Sequence, residues 1–242
     1  MKIRHMLIDV LRPLAAVSVA LFAILGPSAA AQNSEIQQRV AEVKQNAAGN
    51  KQALSHYSWQ QQQTTAVKGN VKDVKVFQVH IGPDGKPQKV ELENTPSSSG
   101  RSGGRIKQHI VEKKKTEYKD YGEQIGSLAQ QYAQPDPERL QQAFQQGNVT
   151  LGPAGVPGQV KMLISNYVKP NDKVTLIFNQ QAKAIQSIEI ATYLNDPTDV
   201  VNIGAQYSKL PDGTNHVANM QVKGVSKELL VTMQNSNYQK IM

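Results

Sequence analysis

Val174-Thr175-Leu176-Ile177-Phe178 and Val201-Asn202-Ile203-Gly204-Ala205-Gln206-Tyr207 decide the reading of this chain. In both runs every second residue is apolar, which places those side chains on one face of a β-strand. The same holds for Leu229, Val231 and Met233. Val160 to Ile164, Ile188 to Tyr193 and Val217 to Val222 are further apolar-rich runs between Gly158 and Tyr238. The connections are too short to hold a crossover helix, so neighbouring strands are predicted antiparallel. Lys169-Pro170-Asn171-Asp172 and Pro211-Asp212-Gly213-Thr214 are the clearest turns. A long meander results.

Upstream, His56-Tyr57-Ser58-Trp59-Gln60 opens a first strand that continues with polar residues to Thr65, so one of its faces is wet or it lies near an edge. Val71 to Leu92 reads as a hairpin around Pro83-Asp84-Gly85. Its apolar positions change phase between Val76 and Phe77, which predicts a β-bulge there. Three helices are predicted. Ser34-Glu35-Ile36-Gln37 fits a capping box for a helix over 34–48, closed by Gly49-Asn50. Tyr118, Tyr121, Ile125, Leu128 and Tyr132 form the stripe of a helix within 105–134. Asp136 and Pro137 start the third helix, over 137–146. Leu151 to Gly158 reads as a loop entering the meander. Together these elements predict an α+β fold: a strongly curved antiparallel sheet, unclosed and half-barrel-like, with helices covering its concave face.

The first residues read as an export signal. Lys2, Arg4 and Arg12 precede the apolar run Pro13 to Leu25, and Pro27-Ser28-Ala29-Ala30-Ala31 supplies small residues for cleavage. The run is short for a bilayer, which needs about 20 residues. The organisation expected is a signal peptide over 1–31 and one domain over 32–242, with a flexible Ser/Gly loop at about 96–104. The mature protein is expected in the periplasm or outside the cell, not spanning the membrane. The chain has no cysteine, so disulfides, thiolate chemistry and cysteine metal ligands are excluded.

Catalysis needs a nucleophile, a base or paired acids on fixed elements. His56, His80, His109 and His216 have no metal-ligand spacing. No nucleophile elbow or phosphate-cradling loop is present, so neither enzyme activity nor a cofactor is expected. Glu189, between Ile188 and Ile190, is expected to face water. Basic residues concentrate around Lys113, Lys114 and Lys115, a candidate contact for anionic surfaces, with Glu112, Glu117 and Asp120 among them. Aromatics are not interleaved with that cluster on strands, which argues against nucleic acid.

The order of leader, helix, Tyr57-x-Trp59 strand, hairpins, helical pair and long meander resembles the LolA/LolB-like superfamily of outer-membrane lipoprotein-sorting carriers. Thr192-Tyr193-Leu194-Asn195-Asp196-Pro197 and Leu210-Pro211-Asp212-Gly213-Thr214 are similar to stretches of exported bacterial proteins of unassigned function. The superfamily resemblance implies an unclosed antiparallel barrel with helices over a hydrophobic cavity. It also implies non-enzymatic binding or carriage of an acyl chain or other elongated apolar ligand, with a lipid or lipoprotein acyl chain as partner. The candidate lining is Trp59, Val174, Leu176, Phe178 and Ile188, with Ile190, Ile203, Leu229 and Val231. Two alternatives stand beside it. One is an envelope structural or protein-interaction module, with an envelope protein as partner and no cavity. The other is a hydrolase whose site is assembled from distant residues.

Overall fold

The computed structural model describes residues 29–96, 105–132 and 137–241. The expected signal peptide, apart from its last three residues, and most of the Ser/Gly loop lie outside the described residues. Helix α1 (Ala29–Leu54) is followed by strands β1 (Tyr57–Val67), β2 (Asn70–Ile81) and β3 (Pro87–Pro96). Helices α2 (Arg105–Tyr132) and α3 (Pro137–Gln145) come next. Strands β4 (Val149–Pro153), β5 (Gln159–Ser165), β6 (Lys173–Asn179) and β7 (Ala184–Tyr193) then lead to β8 (Val200–Lys209), β9 (Asn215–Gly224) and β10 (Leu229–Lys240).

All ten strands form one antiparallel sheet in the order β3-β2-β1-β10-β9-β8-β7-β6-β5-β4. Two meanders are therefore joined side by side. The seam is β1 against β10, which brings the start and the end of the described chain together, with Tyr57 opposite Lys240 and Val67 opposite Leu229. The antiparallel meander agrees with the sequence reading, and the bulge falls between Val76 and Phe77 as the phase change requires.

The predicted half-barrel is not formed. The sheet is open, with edges at β3 and β4, and it is not strongly curled or closed. A sheet rolls up around something apolar. On β1 and β2 the residues in phase with Trp59 and Val79 include Gln61, Gln63, Lys75 and Asp73. They stand beside Trp59, Phe77 and Val79, so that end has fewer apolar positions than the end covered by α2 and α3.

Two boundaries also differ. Gly49-Asn50 does not close α1, which runs on to Leu54. Asn50 instead ties the helix to β9: the Asn215 backbone N–H donates to its Oδ1 at 2.7 Å, and its Nδ2 donates to the Asn215 carbonyl. The supposed loop at Leu151 begins inside β4, whose Leu151 pairs with Met162.

The core lies between one face of the sheet and the C-terminal half of α2 with α3. Ile125, fully buried, and Leu128 and Tyr132 pack over Val174, Leu176, Phe178, Ile190 and Ile203. Full burial of an isoleucine contributes roughly 1.5–3 kcal/mol. Close approach of α2 requires a glycine on β9. A Cβ on Gly224 would lie 2.4 Å from Tyr121 Cε1, so only glycine leaves room for that ring.

Candidate functional site

The opposite face of the sheet carries a groove of about 780 Å³ that crosses six neighbouring strands. At about 4.8 Å between strands it is roughly 24 Å wide. Its lining follows from period two. Val174, Leu176, Ile190 and Ile203 turn to the helices, so the intervening residues turn away from them. These are Lys173 and Thr175 on β6, then Ser187 and Glu189 on β7. Asn202, Gly204 and Gln206 follow on β8, with Asn219 and Gln221 on β9. Thr232 and Gln234 of β10 and Gln62 and Thr64 of β1 complete the polar lining, and Ile188, Ile190, Ala191, Ile203, Ala205, Met220 and Met233 also border the groove.

Pairing registers put these groups side by side. Glu189 lies opposite Gly204 and Gly204 opposite Gln221. Gln221 is opposite Thr232, which in turn is opposite Thr64. Gly204 forms part of the floor, and a Cβ there would meet Gln221 Nε2 at 3.2 Å. Carboxamides and hydroxyls share the lining about equally with apolar surface. Lys173 and Glu189 contribute one charge of each sign, and Glu189 is exposed as its sequence context requires. Such a surface donates and accepts hydrogen bonds along its length.

Of the nine lining residues read from the sequence, Ile188, Ile190 and Ile203 also border this groove. Val174, Leu176, Phe178, Ile190, Ile203 and Leu229 are in the core beneath α2 and α3, and Ile188 packs against that core. Val231, half-buried, is opposite Val222 on the helix side. Trp59 stands apart. Its ring stacks on Tyr238 with centroids 5.4 Å apart, and Tyr238 also meets His216 at 4.3 Å and Tyr57 at 6.4 Å. Tyr57 donates its hydroxyl proton to Asp212, which holds that carboxyl far below the usual range. Trp59 Nε1 and His216 Nδ1 are buried without a hydrogen-bond partner among the described residues. Burial pushes the His216 imidazole below its ordinary 6.5.

A second polar cluster is buried under α2. Asp172, wholly inaccessible, accepts the N–H groups of Tyr167 (2.6 Å), Val168 (2.8 Å) and Lys169 (2.9 Å). It also accepts the Tyr132 hydroxyl proton at 2.7 Å. Tyr132 Oη lies 2.9 Å from Thr192 Oγ1, and burial raises the phenol pKa. Every oxygen here is held by fixed donors, so the cluster clamps the β5–β6 turn to α2. The histidines do not converge: His56 follows α1, His80 is on β2 and His216 is on β9, while the side chain of His109 lies outside the described residues. No group of His, Asp or Glu placed to hold a metal occurs among the described residues. No described helix is long and apolar enough to cross a membrane. Lys113, Lys114 and Lys115 are exposed on α2, ahead of the packed half that starts at Tyr121.

The groove was readable in principle. Its residues are the complementary phase of the same strands whose apolar phase identified the sheet. Asn, Gln, Ser and Thr fill that phase over strands distant in sequence, β1 and β6 among them, so no local stretch signals the groove.

No protein family profile matches the chain, and no curated protein matches it. Among solved structures, it is similar to a DUF1329 family protein from Desulfovibrio piger, with a TM-score of 0.41 and 12% identity over 85% of this chain and 92% of that one. It is also similar to a LolA superfamily protein from Nitrosomonas europaea, with a TM-score of 0.33 and 9% identity over 87% of this chain and 94% of that one. Both likenesses are weak and lie at the level of architecture.

Proposed function

We propose that this chain is an exported, non-enzymatic binding or carrier protein that works in the cell envelope. Its leader-like first residues support export. The observation that carries binding is the groove: a wide surface on which carboxamides and hydroxyls from six strands face the same space. Those groups bind by hydrogen bonding and attack nothing. The ligand that suits them is an elongated, uncharged chain bearing hydroxyl or amide groups, laid across the strands. Binding then rests on many modest hydrogen bonds rather than on one deep pocket.

An acyl chain is the second reading, and the apolar residues on the helix side favour it. Val174, Leu176, Phe178, Ile190, Ile203 and Leu229 contact α2 and α3 through their side chains. An acyl chain therefore enters by displacing α2, gaining about 0.8 kcal/mol per buried CH₂ against the packing it replaces. Lys113, Lys114 and Lys115 would bring either carrier to an anionic envelope surface.

Calorimetric titration with chitohexaose, maltoheptaose and palmitate separates the readings. Saturable binding of an oligosaccharide, abolished by Gly204→Leu, supports the groove. Palmitate binding that Gly204→Leu leaves intact supports the helix side. Absence of saturable binding by all three would overturn the binding proposal.

A further inference from the structure

The two edges of the sheet differ in a way that bears on partners. Strand β4 has five residues, ends on Pro153 and is touched by α1. A short, proline-ended, covered strand is a protected edge. Strand β3 has ten residues and pairs only with β2 among the described residues. It carries two large apolar side chains in the open: Val90 is 61% exposed and Leu92 50%. Lys89, Glu91, the two end prolines and the bulge blunt this edge in part, but Val90 and Leu92 remain open to solvent beside an unpaired backbone.

The sequence of β3 selects its partner strand. Lys89, Val90 and Glu91 put a positive, an apolar and a negative residue in succession. Consider a second copy of β3 laid antiparallel on the first, with Val90 on the two-fold axis. Lys89 of each copy then lies opposite Glu91 of the other, two reciprocal charge pairs that form when Lys89 turns from its own-chain acceptor, Gln61 Oε1, and from the Phe77 ring. On the other face Val90 meets Val90; Leu92 is the residue left unpaired at the bulge against β2, so regular pairing runs over Lys89 to Glu91. Directly opposed residues share a face, so both sets are compatible with the pleat. Glu91 already receives Lys75 at 3.2 Å, and a carboxylate accepts from more than one ammonium. Pro87 and Pro96 bound the segment, limiting pairing to the residues between them. The neighbouring apolar residues Val71, Val74 and Val76 on β2 lie in phase with Ala66, Thr64 and Gln62, on the same face as Val90. They widen the apolar strip that the joint would cover.

We propose that β3 is a self-association edge through which two copies of this chain join antiparallel, with Val90 at the two-fold axis. The two sheets become one, and the two grooves face the same side. This does not depend on what the groove binds. A joint of one strand pair lies at the small end of specific interfaces, so dimerisation is weak and concentration-dependent.

The absence of cysteine makes the test clean. Val90→Cys puts two thiols opposite each other at the axis, at a Cα separation of about 4.5–5.5 Å that a disulfide spans. Under mild oxidation Val90→Cys is expected to form covalent dimers at least about tenfold faster than Val156→Cys, a control on an exposed loop residue. In sedimentation velocity from about 1 µM to about 500 µM, the unmodified chain shifts from monomer to dimer, whereas Val90→Lys stays monomeric with an unchanged circular dichroism spectrum. A monomer at every concentration, equal cross-linking of the two cysteine variants, or a dimer that tolerates Val90→Lys would each overturn the proposal.

Discussion

Tyr132→Phe removes one hydroxyl from the middle of the molecule and tests whether the Asp172 clamp holds α2 on the sheet. The lost contact is a 2.7 Å hydrogen bond to a carboxylate that no solvent reaches. Hydrogen bonds to charged groups contribute about 1.5–3 kcal/mol. Asp172 keeps three backbone donors after the change, so it is not orphaned, and the cost should fall near ~2 kcal/mol. For a chain of this size that lowers the melting temperature by about 4–8 °C. Asp172→Asn is costlier, at about 3 kcal/mol. Its carboxamide can satisfy the donors at one oxygen position, but its NH₂ then faces the N–H of Tyr167. Because the two residues share a bond, their effects are not additive: in the Asp172→Asn background, Tyr132→Phe should cost about half as much. The chain has a single tryptophan, Trp59, so its fluorescence during urea unfolding reports each variant. A loss below about 0.5 kcal/mol for Tyr132→Phe, with no coupling to Asp172→Asn, would refute the clamp.

Gly224→Ala should destabilise by about 1–3 kcal/mol, since its methyl overlaps the Tyr121 ring, and urea midpoints check this. Adding Tyr121→Ala should remove the overlap and make the two changes less than additive. His216 is held neutral by burial, so its folded pKa lies below the unfolded 6.5. Its contribution to stability is complete above 6.5 and declines as pH falls through the folded value; His216→Phe should flatten stability across that window, read from melting temperatures in a pH series. Replacing Lys113, Lys114 and Lys115 with glutamine should weaken cosedimentation with anionic vesicles without moving the melting temperature, because all three are exposed. Unchanged cosedimentation would remove them from any surface contact.

Local chemistry announced much of this fold. Alternation over Val174 to Phe178 and Val201 to Tyr207 gives strands because a strand exposes successive side chains to opposite sides. The spacing of Tyr121, Ile125, Leu128 and Tyr132 gives a helix with one buried stripe, and the slip at Val76 and Phe77 gives the bulge. Each of these signals is carried by residues close in sequence. Helix ends were less legible: Gly49-Asn50 looks like a stop, but Asn50 finds its partners at Asn215, far along the chain.

The amino-acid sequence by itself determined the strands other than β4, the helices and their antiparallel succession, since period and turn chemistry act over a few residues. Tertiary structure alone decided that β1 lies against β10 and that the sheet stays open. It also decided that the polar residues of six strands face one groove. Those outcomes depend on which distant faces find an apolar partner. Gln61, Gln63 and Lys75 interrupt the apolar positions of the β1–β2 end, whereas Ile125 and Leu128 cover the other end.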